Sequence, residues 1–218
     1  MATPAATGQR SRSIQVKHVM LIVFLAMMVI VWITRDRFLL VPNSFLRQRY
    51  SPIAALMFLH GIPGAIALFL GIFQFSSRLR ARFLQVHRVM GRIYVGCVAI
   101  AAPAAVIVAV KLPPIPTLTA ASTIQALGWI LATATALYCV RTGRIAQHRE
   151  WMMRSYPFAA VFVFVRVIVA IPAVASAGPL GLAEVVWSVI AVACFLPSFL
   201  IAWQHLAASK RPAKVQAA

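Results

Sequence analysis

Acidic residues are nearly absent: Asp and Glu number 3 in 218 residues, against 21 Lys and Arg. So few carboxylates leave paired-carboxylate hydrolysis and oxygen-ligated metal cages with almost nothing to build on. Cysteine is scarce too. Cys97, Cys139 and Cys194 lie far apart, each within an apolar run and in no C-x-x-C pattern. That excludes a disulfide framework, a thiolate zinc site and covalent haem attachment. H-E-x-x-H, G-x-S-x-G and P-loop signatures are also missing, so hydrolysis and phosphate cradling find no support. Electron transfer is the one catalytic chemistry left open.

What is abundant is apolar. Hydrophobic residues make up 62% and charged residues 11% of the chain, where a soluble domain holds about 45–50% and about 25%. With a mean hydropathy of +0.88, neither an ordinary soluble domain nor a disordered chain fits. A membrane helix needs about 20 largely apolar residues, and six stretches qualify, near 18–34, 52–75, 89–110, 118–140, 156–176 and 185–205. The expectation is an all-α polytopic bundle. A tail (1–17) precedes one six-helix domain (18–205), whose core helices two to five cover about 52–176. A basic tail (206–218) follows. Arg10, Arg12 and Lys17 precede the first apolar stretch, no small-residue cleavage site follows it, and an uncleaved anchor is expected.

The basic residues set orientation. The N-terminus, loop two (Arg78, Arg80, Arg82, Arg88), loop four (Arg141, Arg144, Arg149, Arg154) and the C-terminus (Lys210, Arg211, Lys214) share one side. The opposite side carries only Arg35, Arg37, Arg47, Arg49 and Lys111. By the positive-inside rule both termini are expected to be cytoplasmic. The +18 charge then reflects topology and contact with anionic headgroups rather than nucleic acid.

Polar groups at membrane depth are costly and point to function. His60 is expected about 12 Å in from the outer end of span two, with Gln125 at similar depth in span four. Arg166 is expected about 14 Å in from the inner end of span five, near mid-bilayer. Together they form a polar layer without an acid, suited to a quinone, a second cofactor or an anionic substrate, or else to joining helices. A second pattern sits at the inner helix ends. His87 opens H-R-V-M-G-R-I-Y and His148 opens H-R-E-W-M-M-R-S-Y, a weak internal repeat of spans two–three and four–five. Two imidazoles facing each other at one depth can ligate haem iron, with Gly91 leaving room for the ring and Arg88, Arg92, Arg149 and Arg154 pairing with propionates. The competing reading has these residues contacting headgroups, with Tyr94, Trp151 and Tyr156 as an aromatic belt.

Between His60 and Arg166 the chain carries H-G-x-x-G, A-L-x-L-G-x-F-Q-F, L-R-x-R, H-R-x-x-G-R-x-Y and H-R-x-W-M-x-R-S-Y. This combination resembles the bacterial membrane-protein family labelled domain of unknown function 2306, which implies a polytopic inner-membrane protein and no settled activity. More distantly the core resembles four-helix b-type cytochromes, in which helices two and four hold one haem and helices three and five the other. That resemblance implies haem b on His87 and His148 and a redox partner. It matches only half of the other pair, because Gln125 stands opposite His60. Two functions follow as expectations: haem-mediated electron transfer, or a haem-free binding, transport or assembly module built on His60, Gln125 and Arg166. A C-terminal reporter fusion is expected to read cytoplasmic; a periplasmic signal would overturn the even span count.

Overall fold

The computed structural model describes residues 22, 24–29, 33, 41, 45–111 and 116–209. The chain divides into two units, residues 1–52 and 53–218. In the first, residues 24–29 and Phe45–Tyr50 are helical. The predicted first span (18–34) and both tails fall mainly outside the described residues.

The second unit is built of α1 (Ala54–Gln74), α2 (Ser77–Arg82), α3 (Leu84–Lys111), α4 (Pro116–Arg141), α5 (Ile145–Val169), α6 (Pro172–Ala175) and α7 (Gly178–Ser209). Among the described residues, 5 helices are long and apolar enough to cross a membrane. The protein is therefore all-α and multi-pass over this region. Helices α1, α3, α4 and α5 pack as a bundle in which α1 meets α3, α3 meets α4, and α4 meets α5 along most of their lengths. Contact between α5 and α1 closes the bundle over a shorter stretch, and α7 lies against α5 and α4.

The core is lined by small side chains. Ala67, Ala101, Ala102, Ala121, Ala132, Ala136 and Ala160 are buried, whereas Leu131, Phe195 and Trp203 are exposed. In water that inversion would be ruinous. In lipid, apolar side chains gain nothing by hiding, and close backbone approach drives association instead. Pro63, Pro103, Pro157 and Pro197 lie inside helices that continue through them, as membrane helices tolerate.

Two helix boundaries differ from expectation. Helix α5 begins at Ile145, not near 156, so Arg149 and Arg154 are helical rather than loop residues. The turn before it is short: Gly143, at φ 76°, takes the left-handed conformation, and Arg144 N–H donates to the Cys139 carbonyl at 2.8 Å. Nothing from Ile145 to Met153 breaks a helix, so basic residues extend it past the hydrocarbon. At 25 residues α5 is about 37 Å long, more than the roughly 30 Å apolar thickness. Loop two likewise holds a helix. Ser76 caps α2 by accepting from Leu79 N–H at 3.2 Å, and α3 starts at Leu84.

Helix α5 touches α1 through Tyr156. Its hydroxyl donates to the Leu68 carbonyl at 3.0 Å, and its ring lies on Gly71 and edge-on to Phe75. A methyl at Gly71 would strike that ring, which is held from two sides. Gly71→Ala is expected to cost about 1–3 kcal/mol, the usual penalty of overpacking. Gly96→Ala, with open space around it, should show no such loss when both are compared by thermal unfolding in detergent.

Candidate functional site

At the bundle centre four polar residues from three helices form a closed circuit. The Thr133 hydroxyl donates to the Trp129 carbonyl at 2.7 Å. Its single hydrogen is then spent, so Ser155 donates to Thr133, at 2.7 Å. Tyr94 in turn donates to Ser155 at 2.9 Å, and the Trp129 indole N–H donates to the Tyr94 hydroxyl at 3.0 Å. Every hydrogen has one destination. Tyr94 and Ser155 are 0% exposed, so each bond lies in a low-dielectric interior where such chains reinforce one another. Sequence reading put Tyr94 in an interfacial aromatic belt, but it lies at the core. A signal for it was available: Tyr94 follows His87 by the same seven residues by which Ser155 follows His148.

This spacing decides what the basic end of the bundle holds. Seven residues are two helical turns, so His87 lies on the face of α3 that carries Tyr94, and His148 on the face of α5 that carries Ser155. The two helices run in the same direction, and both histidines lie about 10 Å below the ring. They are within electrostatic reach of one another, and His87 is also within reach of Arg80 and Arg88. His148 Nδ1 is 2.9 Å from the Ala136 carbonyl. A carbonyl only accepts, so Nδ1 carries the hydrogen and Nε2 of the neutral ring keeps its lone pair. The His87 Nδ1 atom is buried and has no hydrogen-bond partner, and the same holds for Gln74 Nε2. Gln74 Oε1 would lie 3.6 Å from a Cβ placed on Gly91, one turn from His87. The unsatisfied amide and the unsatisfied imidazole thus belong to the same corner.

Cations gather around that corner. Arg80 donates to the Gln74 backbone carbonyl at 3.1 Å. Partial burial and the nearby Arg149 guanidinium lower its pKa from the ordinary arginine value, though an arginine stays charged. Sequence reading singled out Arg88 and Arg149 for this end, but not Arg80. The other two predicted arginines lie elsewhere. Arg92 is exposed. Arg154 pairs with Glu150 at 3.7 Å and covers the Trp151 ring at 5.0 Å. Glu150 also accepts from His205 at 2.9 Å, which ties α7 to α5.

The residues expected to form one polar layer fall into two groups. Helix α5 ends at Val169, so Arg166 falls in its last turn, where a cation complements the helix C-terminus. His60 lies within electrostatic reach of Arg166, and its ring is 5.2 Å from that of Phe162. His60 Nδ1 donates to the Ala101 carbonyl at 2.9 Å, which again leaves Nε2 as the acceptor. Gln125 serves a different contact. Its amide donates to the Phe158 carbonyl at 3.0 Å, and a Cβ on neighbouring Gly128 would meet the Phe158 ring at 2.7 Å. Gln125 therefore locks α4 to α5. Among the described residues, no three of His, Cys, Asp or Glu gather into a metal-binding group. An axial pair needs only two.

A family described as a predicted membrane protein (DUF2306) matches residues 57–206. The chain belongs to this family. The match spans α1, α3, α4 and α5 almost entirely and most of α7, so the ring and both histidine sites lie within the family's own fold. No curated protein and no solved structure matches the chain, and the resemblance to four-helix cytochromes gains no support from them.

The ring makes its own prediction. Tyr94→Phe leaves the Trp129 N–H and the Ser155 hydroxyl each one partner short, at about 1–3 kcal/mol for a buried orphan. Ser155→Ala breaks the same circuit, so the double variant is expected to lose less than the two single losses combined. Unfolding of the three variants in detergent measures this coupling.

Proposed function

We propose that the basic end of the bundle holds a b-type haem between His87 and His148, and that the protein carries single electrons within the membrane. The observation that carries this reading is the hydrogen bond between Tyr94 and Ser155. It sets α3 and α5 face to face, with an imidazole on each helix two turns below. The fit can be tested on the residues present. His148 has its Nδ1 hydrogen committed to a carbonyl, the arrangement that orients a metal-ligating histidine and raises its basicity. His87 presents a buried nitrogen without a partner, a condition that calls for a ligand. Gly91 puts no side chain into the space beside it, and Gln74 offers an unused donor there. Arg80, Arg88 and Arg149 supply charge for carboxylates.

In this reading His87 and His148 would hold the iron, and haem would supply a one-electron carrier. The ring excludes water from the core above the site and holds the two ligand helices in register. Arg80 and Arg149 balance the acidic edge of the group. The positive-inside asymmetry supports placing this end at the cytoplasmic face of the inner membrane.

Oxidised and dithionite-reduced visible spectra of the purified protein test the proposal. A Soret band and a sharp reduced α band are expected. His87→Ala and His148→Ala should each reduce haem retention by at least about tenfold, whereas His205→Ala, outside the pair, should leave it intact. Full retention in both variants, or a featureless spectrum from folded protein supplied with haem, would overturn the assignment.

A further inference from the structure

The opposite end of the bundle carries a second, differently built site. His60 is a partly buried imidazole whose Nδ1 is committed to Ala101, so its remaining nitrogen accepts. Arg166, within electrostatic reach, brings donors and a positive charge. Phe162 brings a flat apolar face, itself 44% exposed, so this place borders the lipid rather than the closed core. The helices that carry these groups, α1 and α5, meet over a shorter stretch than the other bundle neighbours. Tyr156 closes their seam at the basic end, and the His60–Phe162 ring contact bridges it here.

We propose that the seam between α1 and α5 binds the headgroup of a membrane quinone against His60, Phe162 and Arg166. A quinone reaches such a place through the bilayer. Its carbonyl oxygens accept from a guanidinium, its reduced hydroxyls donate to an imidazole nitrogen, and its ring lies on an aromatic face. A lipid phosphate can meet Arg166 but brings no flat ring to the Phe162 face, whereas a reduced quinone offers both that ring and a hydroxyl donor to His60 Nε2. Gln125 belongs to a different contact, its amide donating to the Phe158 carbonyl between α4 and α5. The biological sense of this site rests on the electron-transfer reading, but its geometry does not involve the haem ligands.

A short-chain azido-ubiquinone, photolysed with the full-length protein in nanodiscs of uncharged lipid, reads the site directly. Mass spectrometry is expected to find label within residues 58–66 and 158–166, competed by decylubiquinone. Arg166→Gln and His60→Phe should each lower it by about tenfold, as loss of one charged or well-placed hydrogen bond implies. Arg166→Lys, which keeps the charge, should retain most of it. If either neutral variant fails to fold, Phe162→Ala and the lysine variant decide. Labelling is repeated in the His87→Ala/His148→Ala double variant, so that the spectrum judges the haem and the label judges the quinone site. Label elsewhere, label undiminished by these substitutions, or displacement by phosphatidylglycerol but not by decylubiquinone would overturn the proposal. The last result would assign the seam to an anionic headgroup.

Discussion

Bilayer-embedded helices lack the force that folds soluble proteins, because lipid tails are as apolar as leucine. What sets their register must be packing of small residues and polar bonds with no alternative partner. In this protein that role falls to the closed circuit of Trp129, Tyr94, Ser155 and Thr133. Each hydroxyl has a single hydrogen and a single destination. A shift of one helix by one residue would break the circuit and leave buried donors without acceptors, at about 1–3 kcal/mol each. The ring therefore fixes depth as well as contact, and the positions of the histidines below it follow from helix geometry alone.

Charge arrangement then separates the two ends. At the basic end Arg80 and Arg149 lie close enough to repel, and Glu150 is already engaged by Arg154 and His205. Two cations brought together without an acid, beside two unsatisfied buried polar atoms, form an arrangement that an anion completes. At the other end one guanidinium sits in a last helical turn, where the carbonyl ends of the helix already favour it. The first site is short of negative charge, and the second is short of a hydrogen-bond donor for one imidazole nitrogen. Ligands of different chemistry answer these two deficits.

The spans from α1 to α7 were legible in composition because hydropathy reports what lipid tolerates. Their ends were less so. The start of α5 was misplaced because basic residues read as loop, although a helix can carry them into the headgroup region. The repeated His-Arg openings gave a sign that His87 and His148 come within electrostatic reach of one another. The ring that positions them was not readable, since Tyr94 and Tyr156 look alike in sequence and hold different places. Tyr94 is enclosed by α4 and α5, and Tyr156 reaches α1. Arg80 was missed as a site residue for a related reason: one more arginine in a basic loop carries no sign of its neighbours.

The internal repeat explains why the two ends are not copies of each other. In the first half, His60 on α1 donates to a carbonyl of α3, and in the second half Gln125 on α4 donates to a carbonyl of α5. Both residues do the same structural work, joining the two helices of their half near the end away from the basic cluster. They differ in what is left over. After its bond is made, imidazole still has a basic ring nitrogen, whereas the carboxamide has no basic nitrogen and cannot serve as an axial ligand or proton acceptor at neutral pH. The repeat thus supplies one chemically competent group at this end and two at the other. Among the described residues, two imidazoles come within reach of one another at the basic end, and at the His60 end one imidazole lies within reach of one guanidinium.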